Sequence, residues 1–182
     1  TVGAELQEAA IWAVLAAVGA ILIYIWFRFE WQFGIGAVLA LTHDVLTTIG
    51  LFALFQMEFN LATVAAILTI AGYSINDTVV VYDRVRENMR KYKKMEFLEL
   101  FNLSINQTLS RTVLTSVTTL LALVSLVLFG GEVIRGFSIA LIWGVLIGTY
   151  SSIAIAVPLL LYMQPNRGDE EELPPGFKNE AS

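Results

Sequence analysis

The sequence has no cysteine, a single histidine and only four prolines in 182 residues. Without cysteine there is no disulfide, no thiol nucleophile and no thiolate metal site. His43 stands alone, so no histidine metal cluster can be assembled, and no nucleophile–histidine pair is visible. Charge is scarce as well: 15 % of residues are Asp, Glu, Lys or Arg, against about a quarter in ordinary soluble domains. The formal net charge is −5, which leaves no overall positive field for nucleic acid. These absences exclude a disulfide scaffold and a nucleic-acid binder, and with no metal set visible an enzyme is the least favoured class. No cofactor is expected, and no polar block is large enough to fold as a second domain.

What is abundant is apolar surface. Hydrophobic residues make up 57 % of the chain, and the mean hydropathy is +0.70. A soluble chain this short cannot hide so much, so the expected class is an all-α membrane protein. A hydrocarbon core about 30 Å thick takes about 20 apolar residues per helix. Five segments meet that length: 9–27, 33–55, 61–82, 112–129 and 136–163. The last is long enough to tilt or project, and Pro158 is expected to kink it. Segment 96–109 repeats Phe97, Leu100, Phe101, Ile105 and Leu109 at helical spacing between polar residues. It reads as an amphipathic helix lying at the cytoplasmic interface. Segment 164–182, with its adjacent prolines and acidic run, reads as a flexible cytoplasmic tail.

The basic residues orient these spans. Arg84, Arg86, Arg90, Lys91, Lys93, Lys94 and Arg111 lie between spans three and four, Arg28 between spans one and two, and Arg167 and Lys178 after span five. All fall on one side, and only Arg135 on the other. The expectation is a cytoplasmic C-terminus and an N-terminus outside. The chain opens at Thr1, already outside, and span one lacks the basic n-region and cleavage site of a signal peptide. A preceding helix, and whatever is joined to it, is therefore expected to be missing.

Two spans carry a carboxylate, which is expensive in lipid unless neutralised, hydrated or paired. Asp44 lies about 16 Å past Phe33 at ~1.5 Å per residue, near the midplane, and Asp77 about 24 Å past Leu61, in the cytoplasmic half. Ser74, Asn76 and Thr78 lie within one turn of Asp77. Arg111 opens span four from the same side, followed by Thr112, Thr115, Ser116, Thr118 and Thr119. Asp77 and Arg111 can share a depth and form a charge pair. Burial disfavours a carboxylate's charged form, and a nearby guanidinium favours it. An Arg111 that approached in only one conformation would make Asp77 a switching proton site, with the hydroxyls carrying a water path. The plainer alternative is a static ion pair that sets helix register. For Asp44, with His43, Thr47 and Thr48 beside it, both readings stay open. Asp83 reads as an interfacial charge paired with Arg84 or Arg86. Gly144 and Gly148 form a small-residue row extended by Ser151 or Ser152, and Gly34, Gly36 and Ala40 form another. A third is made of Ala71, Gly72 and Ser74. Such rows let helices pack closely.

The block Gly72-Tyr-Ser-Ile-Asn-Asp-Thr-Val-Val-Val-Tyr-Asp-Arg-Val-Arg-Glu-Asn88 resembles the signature of the SecF family of bacterial protein-export membrane proteins. Other blocks agree in order: Phe27-Arg-Phe-Glu-Trp31 and His43-Asp44 upstream, then Asn106-Gln-Thr-Leu-Ser-Arg-Thr112, Phe129-Gly-Gly131, Gly136-Phe-Ser138 and Ser151-Ser152 downstream. The likeness covers about residues 1–163. It implies half of a resistance–nodulation–division-type bundle in the bacterial inner membrane, lacking the family's first helix and periplasmic domain. It also implies pairing with SecD and work beside the SecYEG channel, with YajC and YidC as further partners. Proton-motive force would then drive preprotein translocation. In that family the Asp of the Asn-Asp motif and the Arg opening the next span are linked to proton passage, and here these match Asp77 and Arg111. The Asp of the His-Asp block matches Asp44. Two other readings stand beside it: a proton-coupled exporter half of the same superfamily, and a purely structural membrane scaffold. Lipid contact by the run Arg84 to Lys94 is a minor possibility beside its role in setting topology.

Overall fold

A computed structural model describes residues 2–57 and 60–166, the side chains of 2–4, 6–7 and 10 excepted. The expected tail lies almost wholly outside these residues, as do Arg167 and Lys178. The described chain is helical, in the order α1 (Val2–Arg28), α2 (Trp31–Leu54), α3 (Leu61–Lys91), α4 (Phe97–Phe129) and α5 (Glu132–Ser151). A π-helical segment, Ser152–Ala156, then leads into α6 (Val157–Met163). Among the described residues, five helical runs are long and apolar enough to cross a membrane, the last being Glu132–Met163.

Local chemistry sets the ends. Asn60 caps α3 reciprocally: its side chain accepts from the Thr63 amide at 3.2 Å, while Thr63 Oγ1 accepts from the Asn60 amide at 3.3 Å. This satisfies two amides that would otherwise be orphaned at the helix start. Arg90 and Lys91 close the last turn of α3, where cations complement the helix dipole. Gly131, at φ 78°, makes the turn into α5 in a region that side chains rarely adopt.

Two elements differ from expectation. The separate interfacial helix over 96–109 does not exist as such, because α4 is one unbroken helix from Phe97 to Phe129. Nothing between 109 and 112 breaks it: no proline, no glycine, and an i→i+4 register that Ser110 and Arg111 continue. Its length is about 50 Å, well beyond a hydrocarbon core. Likewise α3 runs past 82 to Lys91. The two overhanging ends hold each other. Val85 and Met89 pack with Leu100 and Phe101, and Asn88 Nδ2 donates to Ser104 Oγ at 2.8 Å and Gln107 Oε1 at 2.9 Å. The amphipathic pattern was real, but its apolar face covers a neighbouring helix. At Pro158 the irregularity is a π-helical segment just upstream, consistent with a ring that removes one backbone donor. Tyr82 Oη donates to the Ala156 carbonyl beside it at 2.9 Å.

The interior is layered. One apolar cluster, at the end rich in Arg and Lys, joins Phe33, Ala37 and Ala40 of α2 to Val81, Tyr82 and Val85 of α3 and to Ala156 and Leu160. A second, at the other end, joins Phe52, Ala66, Ile70, Leu123, Ala140, Leu141 and Val145. Between them every central helix presents polar groups: Asp44 and Thr48, Ser74, Asp77 and Thr78, Thr112 and Ser116, Ser151 and Ser152, all buried. α1 is peripheral, with 6 % of its apolar window buried against 50 % for α3.

Lipid tails are as apolar as these side chains, so close packing rather than water exclusion holds the helices together. Gly144 and Gly148 make that approach possible. A Cβ at Gly144 would collide with the Ile70 side chain, and one at Gly148 would sit 3.2 Å from Ser74 Cβ. Gly72 makes no such contact: it is exposed, and among the described residues nothing lies within 4 Å of its Cβ position. It sits on the opposite side of α3 from Ile70 and Ser74, two residues from each and so about 200° around. Gly144→Ala is therefore expected to cost about 1–3 kcal/mol through overpacking. Gly72→Ala should be neutral or slightly stabilising. Denaturant unfolding in detergent, followed by circular dichroism, separates the two.

Candidate functional site

The polar layer contains two carboxylates in opposite situations. Asp44 is fully buried and bonded on both oxygens. Ser151 Oγ donates to its Oδ2 at 2.7 Å, and Ser74 donates to the same oxygen. His43 Nδ1 lies 3.0 Å from Oδ1, and donates there in the tautomer that carries its proton on Nδ1. Thr48 Oγ1 donates to the Asp44 carbonyl at 2.7 Å. One side chain thus ties α2 to α3 and α5. Register explains the convergence. Ser74 follows Ile70 by four residues on α3, Ser151 follows Gly148 by three on α5, and the glycine row brings those faces together.

Asp77 lies one turn beyond Ser74 on the same face of α3. It is also buried, yet among the described residues its Oδ2 has no hydrogen-bond partner, and neither has the hydroxyl of Thr78. A buried unsatisfied acceptor costs about 1–3 kcal/mol and is relieved by a proton, a water or an approaching donor. Arg111 supplies a field at this position, but among the described residues no ion pair joins them. Arg111 is exposed and lines a cleft of about 250 Å³ with Asp83, Arg84, Glu87 and Gln107.

The remaining sequence candidates fall as follows. Asn76 is exposed, pointing away from the face that carries Ser74 and Asp77. Thr115 Oγ1 donates to the Arg111 carbonyl at 2.8 Å, and Thr118 and Thr119 likewise bond within their own helix. The row of α4 hydroxyls therefore does not form a chain of its own. Between Thr112 and Thr119, the cross-helix link found among the described residues is Ser116 to Thr149 of α5 at 2.7 Å. Asp83 pairs with neither Arg84 nor Arg86. Its partner is Arg28, whose Nη2 donates to both carboxylate oxygens at 2.7 Å, while Arg84 pairs with Glu87 at 2.8 Å. Adjacent residues on a helix point about 100° apart and do not face each other, which is why the Asp83–Arg84 pairing fails. Both members of the Arg28–Asp83 bridge are about two-fifths exposed, so Asp83→Ala should shift unfolding free energy by no more than about 1 kcal/mol. A denaturant titration checks this.

The sequence assigned Ser151 only a packing role and placed Ser116 among the hydroxyls of a water path, but did not connect Thr149 or Tyr82 to the polar layer. The signal for Ser151 was present in its spacing from Gly144 and Gly148. None existed for Tyr82, whose partner lies in another helix. Among the described residues no group of three acidic or histidine side chains could hold a metal ion.

A bundle of apolar helices around a layer of buried carboxylates and hydroxyls defines a polytopic membrane protein with ionisable groups inside its spans. Residues 1–166 match the family model for the protein export membrane protein SecD/SecF, C-terminal, and the chain belongs to that family. It is 58 % identical over 173 residues to the protein translocase subunit SecF of Rhodobacter capsulatus, covering 95 % of this chain and 52 % of that protein. It is 61 % identical over 167 residues to the corresponding subunit of Cereibacter sphaeroides, covering 92 % and 52 %. A crystal structure of SecDF in a super-membrane-facing form superposes with a TM-score of 0.82 at 49 % identity, over 88 % of this chain and 22 % of that one. The chain spans about half the length of the curated relatives it matches.

Proposed function

We propose that the chain is the membrane-embedded half of a SecF-type subunit that couples proton-motive force to preprotein translocation across the bacterial inner membrane, without itself being an enzyme. Its C-terminus faces the cytoplasm and its first residue the periplasm, as the distribution of Arg and Lys requires. SecD is the partner that completes the bundle. SecYEG, YajC and YidC are the surrounding machinery, and preproteins and protons are what move.

The observation that carries this reading is Asp77: a buried carboxylate with one unpartnered oxygen, within the field of an arginine that lies in an open cleft. Arg111 has somewhere to move from and Asp77 a bonding position to fill. A proton on Asp77 and a guanidinium beside it are alternative ways to fill that position. Exchange between them would shift α3 against α4. Asp44, Ser74 and Ser151 hold α2, α3 and α5 as one unit, against which such a shift acts. One charge crossing 100 mV supplies about 2.3 kcal/mol, comparable to the cost of one unsatisfied buried oxygen.

The test is gradient-dependent translocation of a secreted precursor into inverted membrane vesicles. Vesicles carrying the protein should translocate faster than vesicles lacking it, and an uncoupler should erase the difference. A benefit that survives the uncoupler would contradict the proposal.

A further inference from the structure

The end of the bundle rich in Arg and Lys carries two adjoining features that the proton reading does not use. The first is an apolar groove of about 790 Å³ between the end of α1 and the start of α2, lined by Leu22, Trp26, Phe29, Gly34 and Val38 among others, with Glu30 as its only charged wall. Its α2 wall, from Trp31 to Leu39, runs for about 12 Å. Its outer lip is aromatic: Trp26 and Trp31 are largely exposed. The second feature is a cleft of about 580 Å³ lined by Arg28, Asp83, Arg86, Glu87, Arg90 and Lys91.

Phe29 joins them. It lines the groove, and the guanidinium carbons of Arg28 and Arg86 lie 5.2 Å and 5.6 Å from its ring centroid. The charge of the cleft is not self-compensated. Asp83 is held by Arg28 and Glu87 by Arg84. Among the described residues neither Arg86 nor Arg90 has a carboxylate partner. Arg86 spends one N–H on the Arg28 carbonyl at 3.2 Å, and Lys91 sits over the Tyr92 ring at 5.2 Å. Cations without counter-ions at the mouth of an apolar groove with aromatic lips are complementary to one chemistry: an anionic headgroup on an acyl chain.

We propose that an anionic phospholipid occupies this site, its acyl chain in the α1–α2 groove and its phosphate between Arg86 and Arg90. A protein helix filling the groove would leave those two guanidiniums unanswered, whereas a free phosphate would leave the groove empty. The lipid meets both requirements, and it would anchor peripheral α1 to α3 at a point where Arg28, Asp83 and Arg86 already join them.

Native mass spectrometry of the full chain, released from bilayers with equal phosphatidylglycerol and phosphatidylcholine, tests this. The expected result is retention of one phosphatidylglycerol with a preference of at least about tenfold. Arg86→Gln with Arg90→Gln should reduce that preference to about threefold or less, since each basic residue contributes about a fivefold factor near anionic lipid. Lys93→Gln with Lys94→Gln, the same charge change outside the cleft, should leave it intact. Gly34→Leu, which grows a side chain into the groove, should also lower retention. Arg86→Lys with Arg90→Lys should preserve it, and these last two variants decide the matter if the double glutamine variant fails to insert. Equal loss in both charge-removing pairs means a diffuse basic surface and overturns the proposal. Retention unchanged in Gly34→Leu, or displacement of the lipid by millimolar inorganic phosphate, means a headgroup anion alone and overturns the two-part site. No preference in the unmodified chain overturns it outright.

Discussion

Asp77→Asn is expected to reduce gradient-dependent export to the level of cells lacking the protein, while the variant still inserts and accumulates normally. The substitution keeps the size of the side chain and removes its ability to carry and release a proton. Because Asp77 Oδ2 has no hydrogen-bond partner, an amide there breaks no existing bond. The side-chain volume is unchanged, and normal accumulation of the inserted variant separates loss of function from loss of fold. Arg111→Ala should have the same phenotype and an even smaller effect on stability, because Arg111 is exposed and surface substitutions fall within about 0.5 kcal/mol. The double variant should be no worse than either single one, as expected when two groups serve one step. Precursor processing in cells carrying each chromosomal substitution, measured with and without an uncoupler, reads this directly. Undiminished gradient-dependent export in Asp77→Asn would falsify the coupling role and leave a membrane scaffold as the better description.

Asp44 separates into two variants with different outcomes. Asp44→Ala removes the acceptor that Ser74, Ser151 and His43 share, and so removes the polar link among three helices. In water the hydroxyls left behind would cost about 1–3 kcal/mol each. Within a bilayer, interhelical hydrogen bonds average about 0.6 kcal/mol, because the separated helices find other partners. Ser151 already has one in the Gly148 carbonyl at 3.2 Å. The expected destabilisation is therefore about 2 kcal/mol, measurable by denaturant titration in mixed micelles. Asp44→Asn keeps an acceptor oxygen in place and should lose less than half as much. Its export phenotype then distinguishes two roles. Normal gradient-dependent export identifies Asp44 as a packing hub. Loss of export in a stably folded Asp44→Asn variant means the proton route passes through both carboxylates.

The contrast between the two acids was not legible from their positions alone. Both are intramembrane carboxylates with hydroxyl residues within a turn, and what set Asp77 apart was an arginine able to share its depth. Their difference arises in partners supplied by other helices: Ser151 lies over a hundred residues away from Asp44. Nothing in the sequence of α3 says that Ser74 turns its hydroxyl to Asp44 rather than to Asp77. The misassigned partner of Asp83 has the same origin. Sequence distance suggested Arg84 or Arg86, whereas the tight α1–α2 turn delivers Arg28. The expected interfacial helix at 96–109 failed differently. Its periodicity was read correctly, but periodicity reports that a face is covered and says nothing of what covers it.

By itself the sequence determined the class, the number of spans and their likeness to an export family. Those follow from properties that are additive along the chain: apolar length against bilayer thickness, the cost of charge in lipid, the asymmetry of Arg and Lys, and the block from Gly72 to Asn88. Tertiary structure alone decided which carboxylate is satisfied and which is left with an open position, and where the two apolar clusters sit around the polar layer. It also decided how the groove lined by Phe29 comes to meet the arginines of a cationic cleft. Those depend on helix rotation and depth relative to neighbours. Rotation is set by whether Gly144 and Gly148 let α5 close on Ile70 and Ser74, a condition that no single helix contains.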